Sequence, residues 1–400
     1  MRKVPFFKYS SCGNNFVIVD DTQNSYFSEH EWSDFAPKAT NISFGIGCDN
    51  LIVVQSATQQ TLDIIATERR YWDLLPDLNS AKYIFRMFEP NGDEALCCGN
   101  GLICVADFLR REHGVINTNI MTEIPLTTPA ILSIGSDSNS QDCWVNLGVP
   151  RRAPETLAKA SGLTPINDTI DFINDIEIKF SHQDLKQYTD SISLKLQGYV
   201  VFTGEPHFVI FPDRDFSIPQ LADQLFGVTK TGKVPPFNRK NFGGWLIHRI
   251  GTYINRQYGH IFPEGISVNF ARLNGQDQVL NRCFERGINR ETLACSTGAL
   301  AVSYIVQQLF LPGLSSIVLH PMRCRQEWLD AEIKVERKNN GWHIKTTPLF
   351  IFEGNYKDTS KNLINNDVDD YQFTNDEYFL HQLKLKSTLP THKMLRNEDG

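Results

Sequence analysis

Two cysteines stand in matching surroundings. The segment EALCCGNGLICV runs from Glu94 and ETLACSTGALAV runs from Glu291. Glu, Leu, Cys, Gly and Val fall at the same offsets, which pairs Cys98 with Cys295 about half the chain apart. Each cysteine is followed by small polar residues and then by a helical pattern. A thiol at the first turn of a buried helix faces unpaired N–H groups and the positive end of the helix dipole. That context predicts a pKa below the free value of about 8.5, and the same N–H groups suit a carboxylate. Two such thiols facing one cleft could invert an α-carbon. One thiolate removes the α-proton and the other thiol protonates the opposite face. No pyridoxal-binding lysine motif accompanies them, so a reaction without a cofactor is expected.

A single buried cysteine is more often a small hydrophobe than a catalyst. Cys12, Cys48, Cys104, Cys143, Cys283 and Cys324 are left in that class, and Cys97 faces Ala294 in the repeat. Only pairing and repeat context lift Cys98 and Cys295 out of it. A Cys97–Cys98 redox couple is disfavoured, because vicinal cysteines meet disulfide geometry poorly.

The positioning elements also repeat. GNNFVIV from Gly13 is echoed by GEPHFVIF from Gly204, and in each half the FVI strand precedes the cysteine segment. Internal similarity of this kind predicts a duplicated unit. The spacing predicts helices over about 101–112 and 298–311, the second apolar almost all round and hence buried. β-Branched and aromatic runs predict strands at Phe16–Val19, Leu51–Val54, Tyr83–Phe88, Cys143–Leu147, Tyr199–Phe202, Phe208–Phe211, Ser267–Ala271 and Leu349–Glu353. The expected fold is α/β (α+β). It has two pseudo-symmetric domains, each a mixed sheet around a central helix, with the site in the cleft between them. The halves are 1–125, with the strand near 345–357, and 126–344. Residues 358–400 are polar and read as a partly disordered extension. Gly135–Gln141 and Thr229–Gly244 read as linkers.

Bulk properties narrow the class. The 400 residues carry a net charge of −7, with 41% hydrophobic and 21% charged residues. Mean hydropathy is −0.29. No basic run suggests nucleic acid, and no apolar run approaches the roughly 20 residues of a membrane span. The basic start lacks an apolar core, so no secretory signal is expected. Nine cysteines without CxxC or a histidine cluster argue against a disulfide framework and a structural zinc site. Reduced cysteines and a cytoplasmic location are expected.

These motifs resemble the diaminopimelate epimerase family over roughly residues 4–357. The resemblance rests on CGNNF at Cys12, GIGCD at Gly45, FEPNGDE at Phe88, CGNG at Cys98, GEPH at Gly204, FPEG at Phe262, ERG at Glu285 and ETLACSTG at Glu291. Proline racemases share the two-cysteine logic but usually carry His where Asn100 stands. The resemblance implies Cys98 and Cys295 as the acid/base pair and Asn14, Gly99, Asn100, Ser296 and Thr297 around the substrate. It implies Glu285 and Arg286 at the substrate's far amino-carboxylate end. Members are often dimers. Other recognition positions differ: Glu89, Glu205 and Ser267 replace asparagines, and Asn50 replaces a Gln or Gly. Two carboxylates in place of amides would favour a cationic side chain over a second carboxylate, unless basic residues neutralise them. The chain is also about a hundred residues longer than expected, with inserts near Gln59–Ala81 and Thr229–Gly251. The expected partner is a small-molecule amino-acid substrate. The resemblance implies epimerisation of LL- to meso-diaminopimelate, in lysine and peptidoglycan biosynthesis, with racemisation of a different, basic amino acid as the alternative. A non-catalytic amino-acid-binding protein is the rival from another class.

Overall fold

The computed structural model describes residues 2–358 apart from 24–25, 156, 160–161, 182–184, 187–190, 228–241, 329 and 340. Residues Val4–Tyr356 form one compact unit. The expectation for the polar extension lies outside the described residues.

The duplication extends strand by strand. In the first half, Asn14–Asp21 pairs antiparallel with Arg2–Ser11 and parallel with Asn50–Ser56. Asn50–Ser56 pairs antiparallel with Tyr83–Phe88, which turns back through Glu94–Ala95 into the helix Gly99–His113. Asn117–Thr122 then returns parallel to Tyr83–Phe88, and hairpins add Ala130–Ser136 and Cys143–Asn146.

The second half follows the same order. Pro206–Ile210 lies antiparallel to Ser193–Phe202 and parallel to Ser267–Leu273. Gln278–Glu285 turns back through Arg290–Thr292 into the helix Ser296–Ile305. Ser316–Pro321 returns parallel to Gln278–Glu285 and continues into Ile333–Lys338 and Gly341–Thr346. The two halves join where Gly341–Thr346 pairs with Cys143–Asn146, His343 opposite Asn146.

Each sheet wraps a helix because that helix has few polar residues to present to water. Gly99 to Leu109 are all buried. In Ser296–Ile305 every residue but Thr297 is buried, and a π-helical turn, Val306–Phe310, extends it. Leu102, Val105, Leu300 and Val302 belong to one core with the inner faces of the strands. A second core, around Phe270, Phe284 and Ile250, lies where the helix Phe242–Gln257 covers the outer face of the second sheet.

Two linker expectations are corrected. Gly135 lies within the strand Ala130–Ser136, opposite Trp144, because pairing with Cys143–Asn146 runs on to Ser136. Gly243 and Gly244 open the helix Phe242–Gln257. A Cβ on Gly243 would overlap the Arg282 guanidinium, so the glycine serves close packing there. Residues 229–241 of that stretch lie outside the described residues. The insert at Gln59–Ala81 forms a helix, Gln59–Arg69, and a short turn at Leu78–Ser80.

Candidate active site

A buried arginine leads into each cysteine. Arg86 reaches back to Glu94, Nε to Oε1 and Nη2 to Oε2, both at 2.7 Å. Its Nη1 holds Glu29 as well, at 2.6 and 2.7 Å. Arg282 grips Glu291 in the same bidentate way, at 2.6 and 2.7 Å. The shared glutamate four residues before each cysteine therefore fixes the turn that delivers the helix start.

Cys98 and Cys295 are the N-caps of the two central helices, both with extended backbone. The helix starts abut. A Cβ on Gly99 would collide with Ser296 Oγ, so only glycine allows this approach. Asn100 Nδ2 donates to Asn14 Oδ1 at 2.7 Å and to the Ala294 carbonyl at 3.4 Å, tying the first helix to the turn before Cys295. Asn100 Oδ1 is buried with no protein partner.

The two sulfurs differ in support. Cys295 Sγ accepts from the Gly298 N–H at 3.3 Å and lies 3.2 Å from Thr297 Oγ1. The Cys283 thiol donates to it as well, which favours the Cys295 thiolate. Burial and the charges of Glu285 and Glu205 outweigh these donors, so the Cys295 pKa still lies above the ordinary thiol value. Burial drives Cys98 up further, opposed chiefly by the Gly101 N–H. This corrects the expectation of depressed thiol pKa values: the helix starts supply donors, but burial of the thiols outweighs them.

Acidic groups crowd Cys295. Burial pushes Glu285 up to about 7, against a hydrogen bond from Thr292 Oγ1. Glu205 takes a bridging position. Its Oε2 accepts from Arg286 Nε at 2.7 Å. Its Oε1 accepts from Thr297 Oγ1 at 3.1 Å and sits 4.0 Å from Cys295 Sγ. Of the two added carboxylates, Glu205 is thus paired with a base. Ser267 is fully buried, and its Oγ accepts the Arg286 N–H at 3.2 Å. Glu89 lies exposed in the turn that closes on Asp93, with its carboxyl raised by partial burial and by Asp93. Asn50 begins its strand opposite Phe16.

The structure thus gathers Cys98, Gly99, Asn100, Asn14, Ser296, Thr297, Cys295, Glu205, Glu285 and Arg286 around the facing helix starts. Cys283 and His207 join them, though the sequence reading assigned neither a role. A signal existed for Cys283: it stands two residues before Glu285 in one strand, hence on the same face. His207 Nδ1 lies 3.0 Å from Asn269 Nδ2 on the neighbouring strand, and burial lowers the ring's pKa to about 4.

Comparison with known proteins agrees with this arrangement. The family model described as diaminopimelate epimerase matches residues 6–126. The diaminopimelate epimerase of Archaeoglobus fulgidus is 26% identical over 316 residues, covering 78% of this chain and 84% of that one. That of Teredinibacter turnerae is 27% identical over 309 residues, 77% and 85% of the two chains. A hydroxyproline epimerase from Agrobacterium vitis shares the fold alone, at a TM-score of 0.50 and 10% identity over 88% of this chain and 92% of that one. Facing cysteine helices, duplicated sheets and these alignments lead to one conclusion: the chain is an isomerase similar to the diaminopimelate epimerases.

Proposed function

We propose that the protein inverts the α-carbon of an amino acid with Cys98 and Cys295 as its acid/base pair and without a cofactor. The observation that carries this reading is the abutment of two cysteine-capped helices at Gly99 and Ser296. Cys295, whose sulfur accepts from the Gly298 N–H and neighbours Thr297 Oγ1, is the thiolate that takes the α-proton. Cys98 is the thiol that protonates the other face. The roles exchange in the reverse direction. As the proton leaves, charge moves into the substrate carboxylate, where the free N–H groups of the two helix starts hold it. The chemistry needs reduced sulfurs, which a cytoplasmic setting would supply.

The substrate's far end is where the chain departs from its relatives' motifs. Arg286, the residue expected to meet a second carboxylate, is bonded to Glu205. A second substrate carboxylate would have to displace that carboxylate or bind an arginine already neutralised. This supports an amino acid without a second carboxylate over diaminopimelate. Proton NMR in D₂O under reducing conditions tests it, with LL-diaminopimelate, lysine, arginine, histidine and glutamate offered separately. Loss of the α-proton signal with a basic amino acid and not with diaminopimelate is expected. Exchange with diaminopimelate alone would overturn the substrate assignment and leave the reaction type standing. Exchange with none would return the weight to an amino-acid-binding protein.

A further inference from the structure

Cys295 has more potential ligands than proton transfer requires. Glu205 Oε1 lies 4.0 Å from its sulfur. The same oxygen is 3.5 Å from His207 Nε2. The Cys283 thiol and the Glu285 carboxylate also lie beside the sulfur. In each set, Glu205–His207–Cys295 and Cys283–Glu285–Cys295, one ligand atom per residue lies within 4.8 Å of the others. Zinc bonds of about 2.3 Å to sulfur and 2.0–2.1 Å to nitrogen or oxygen place tetrahedral neighbours roughly 3.3–3.8 Å apart. In the first set the Glu205 oxygen lies within about half an ångström of that spacing from both the sulfur and the imidazole nitrogen.

A second observation comes from the histidine itself. His207 is fully buried, and its Nε2, facing this cluster, has no hydrogen-bond partner. Asn269 Oδ1 is likewise buried and unpartnered, while its Nδ2 faces His207 Nδ1 at 3.0 Å. The two orientations of an amide have the same shape. Turned over, Asn269 Oδ1 accepts from Nδ1–H and leaves the Nε2 lone pair pointing toward Glu205 and Cys295. A carbonyl behind the ring is the usual support of a metal-binding histidine. The sequence gives only Glu205-x-His207 as local spacing, and Cys295 joins that pair through the fold.

We propose that Glu205, His207 and Cys295 bind a borderline-soft divalent cation of the Zn²⁺ class, with Cys283 or solvent as fourth ligand, and that this cation switches the enzyme off. Binding replaces the Cys295 S–H proton, which leaves to solvent, with a metal–sulfur bond. No redox change is involved. The captured sulfur can then neither take nor return the α-proton. The inhibitory consequence rests on the proposed role of Cys295; the metal site does not.

The test uses the full-length reduced protein. Co²⁺ titration reads the thiolate-to-metal charge-transfer band, and competition with a chromophoric chelator reads Zn²⁺ affinity. One metal per chain is expected. Glu205→Gln and His207→Ala should each weaken Zn²⁺ binding at least tenfold, and Cys98→Ser should leave it unchanged, with circular dichroism confirming each fold. If His207→Ala does not fold, Glu205→Gln carries the test. Unaltered Zn²⁺ affinity in folded Glu205→Gln overturns the site, as does its loss in Cys98→Ser, which would mean the metal bridges the catalytic thiols instead. Stoichiometric Zn²⁺ should also abolish α-proton exchange. A protein that exchanges no amino acid but still shows the charge-transfer band would refute the racemase reading and uphold the metal site.

Discussion

At the residue scale, protonation governs the chemistry. Both cysteines lie above the ordinary thiol value, because burial penalises the thiolate. A raised pKa delays formation of the base. The rate on free enzyme should therefore climb with pH through neutrality and into the alkaline range, read as kcat/KM against pH. A plateau already reached at pH 6 would contradict it. Glu285 gives a stability signature. Its pKa is about 7, against an ordinary value of 4.5. A raised carboxyl contributes stability that is fully present below the unfolded pKa and lost as pH rises through the folded one. Glu285→Gln should flatten the stability decline between pH 5 and 8 by about 3 kcal/mol, at 1.4 kcal/mol per unit, in denaturant melts at each pH. Cys98 and Cys295 were legible in the sequence because a repeat marked them. The Glu205–Arg286 bond was not, because it depends on which strands lie side by side, here Pro206–Ile210 next to Ser267–Leu273. The open alternative, a carboxylate neutralised by a base, holds for Glu205.

At the element scale, the arginine–glutamate clamps decide where the helices begin. Removing one partner of a buried ion pair typically costs 3–5 kcal/mol, because the other charge is left unpaired. Glu94→Gln should therefore destabilise the fold by about 3 kcal/mol, measured by the shift of the urea midpoint. The Arg282–Glu291 clamp should show itself in the rate. Glu291→Gln should lower kcat roughly tenfold or more, since small misplacement of a reacting group is costly, with KM moving far less. An unchanged kcat would show that the clamp does not position Cys295. The sequence marked both glutamates through the repeat but not their arginines, which sit on the preceding strands, Tyr83–Phe88 and Gln278–Glu285. Helices and many strands were legible from periodicity. Gly243-Gly244 misled, because a glycine pair signals a linker in sequence and close helix packing in this structure.

At the scale of the whole molecule, duplication explains why one chain presents two helix starts to each other. Each half supplies the same strand order and one cysteine, and the join at Cys143–Asn146 and Gly341–Thr346 makes the halves one body. The duplication was visible in two short motifs; the full correspondence of strands was not, since most paired strands keep only their apolar pattern. Two thiols in one cleft also make the molecule oxidant-sensitive. Diamide should inactivate it and dithiothreitol restore it, followed by the exchange assay, and an oxidised enzyme with full activity would count against facing sulfurs. The most direct test of the central claim is inversion of the α-carbon, followed by circular dichroism of the amino acid that exchanges in the wild type. Cys98→Ser and Cys295→Ser should each lose it while remaining folded. Full inversion in either variant would contradict the two-thiol account.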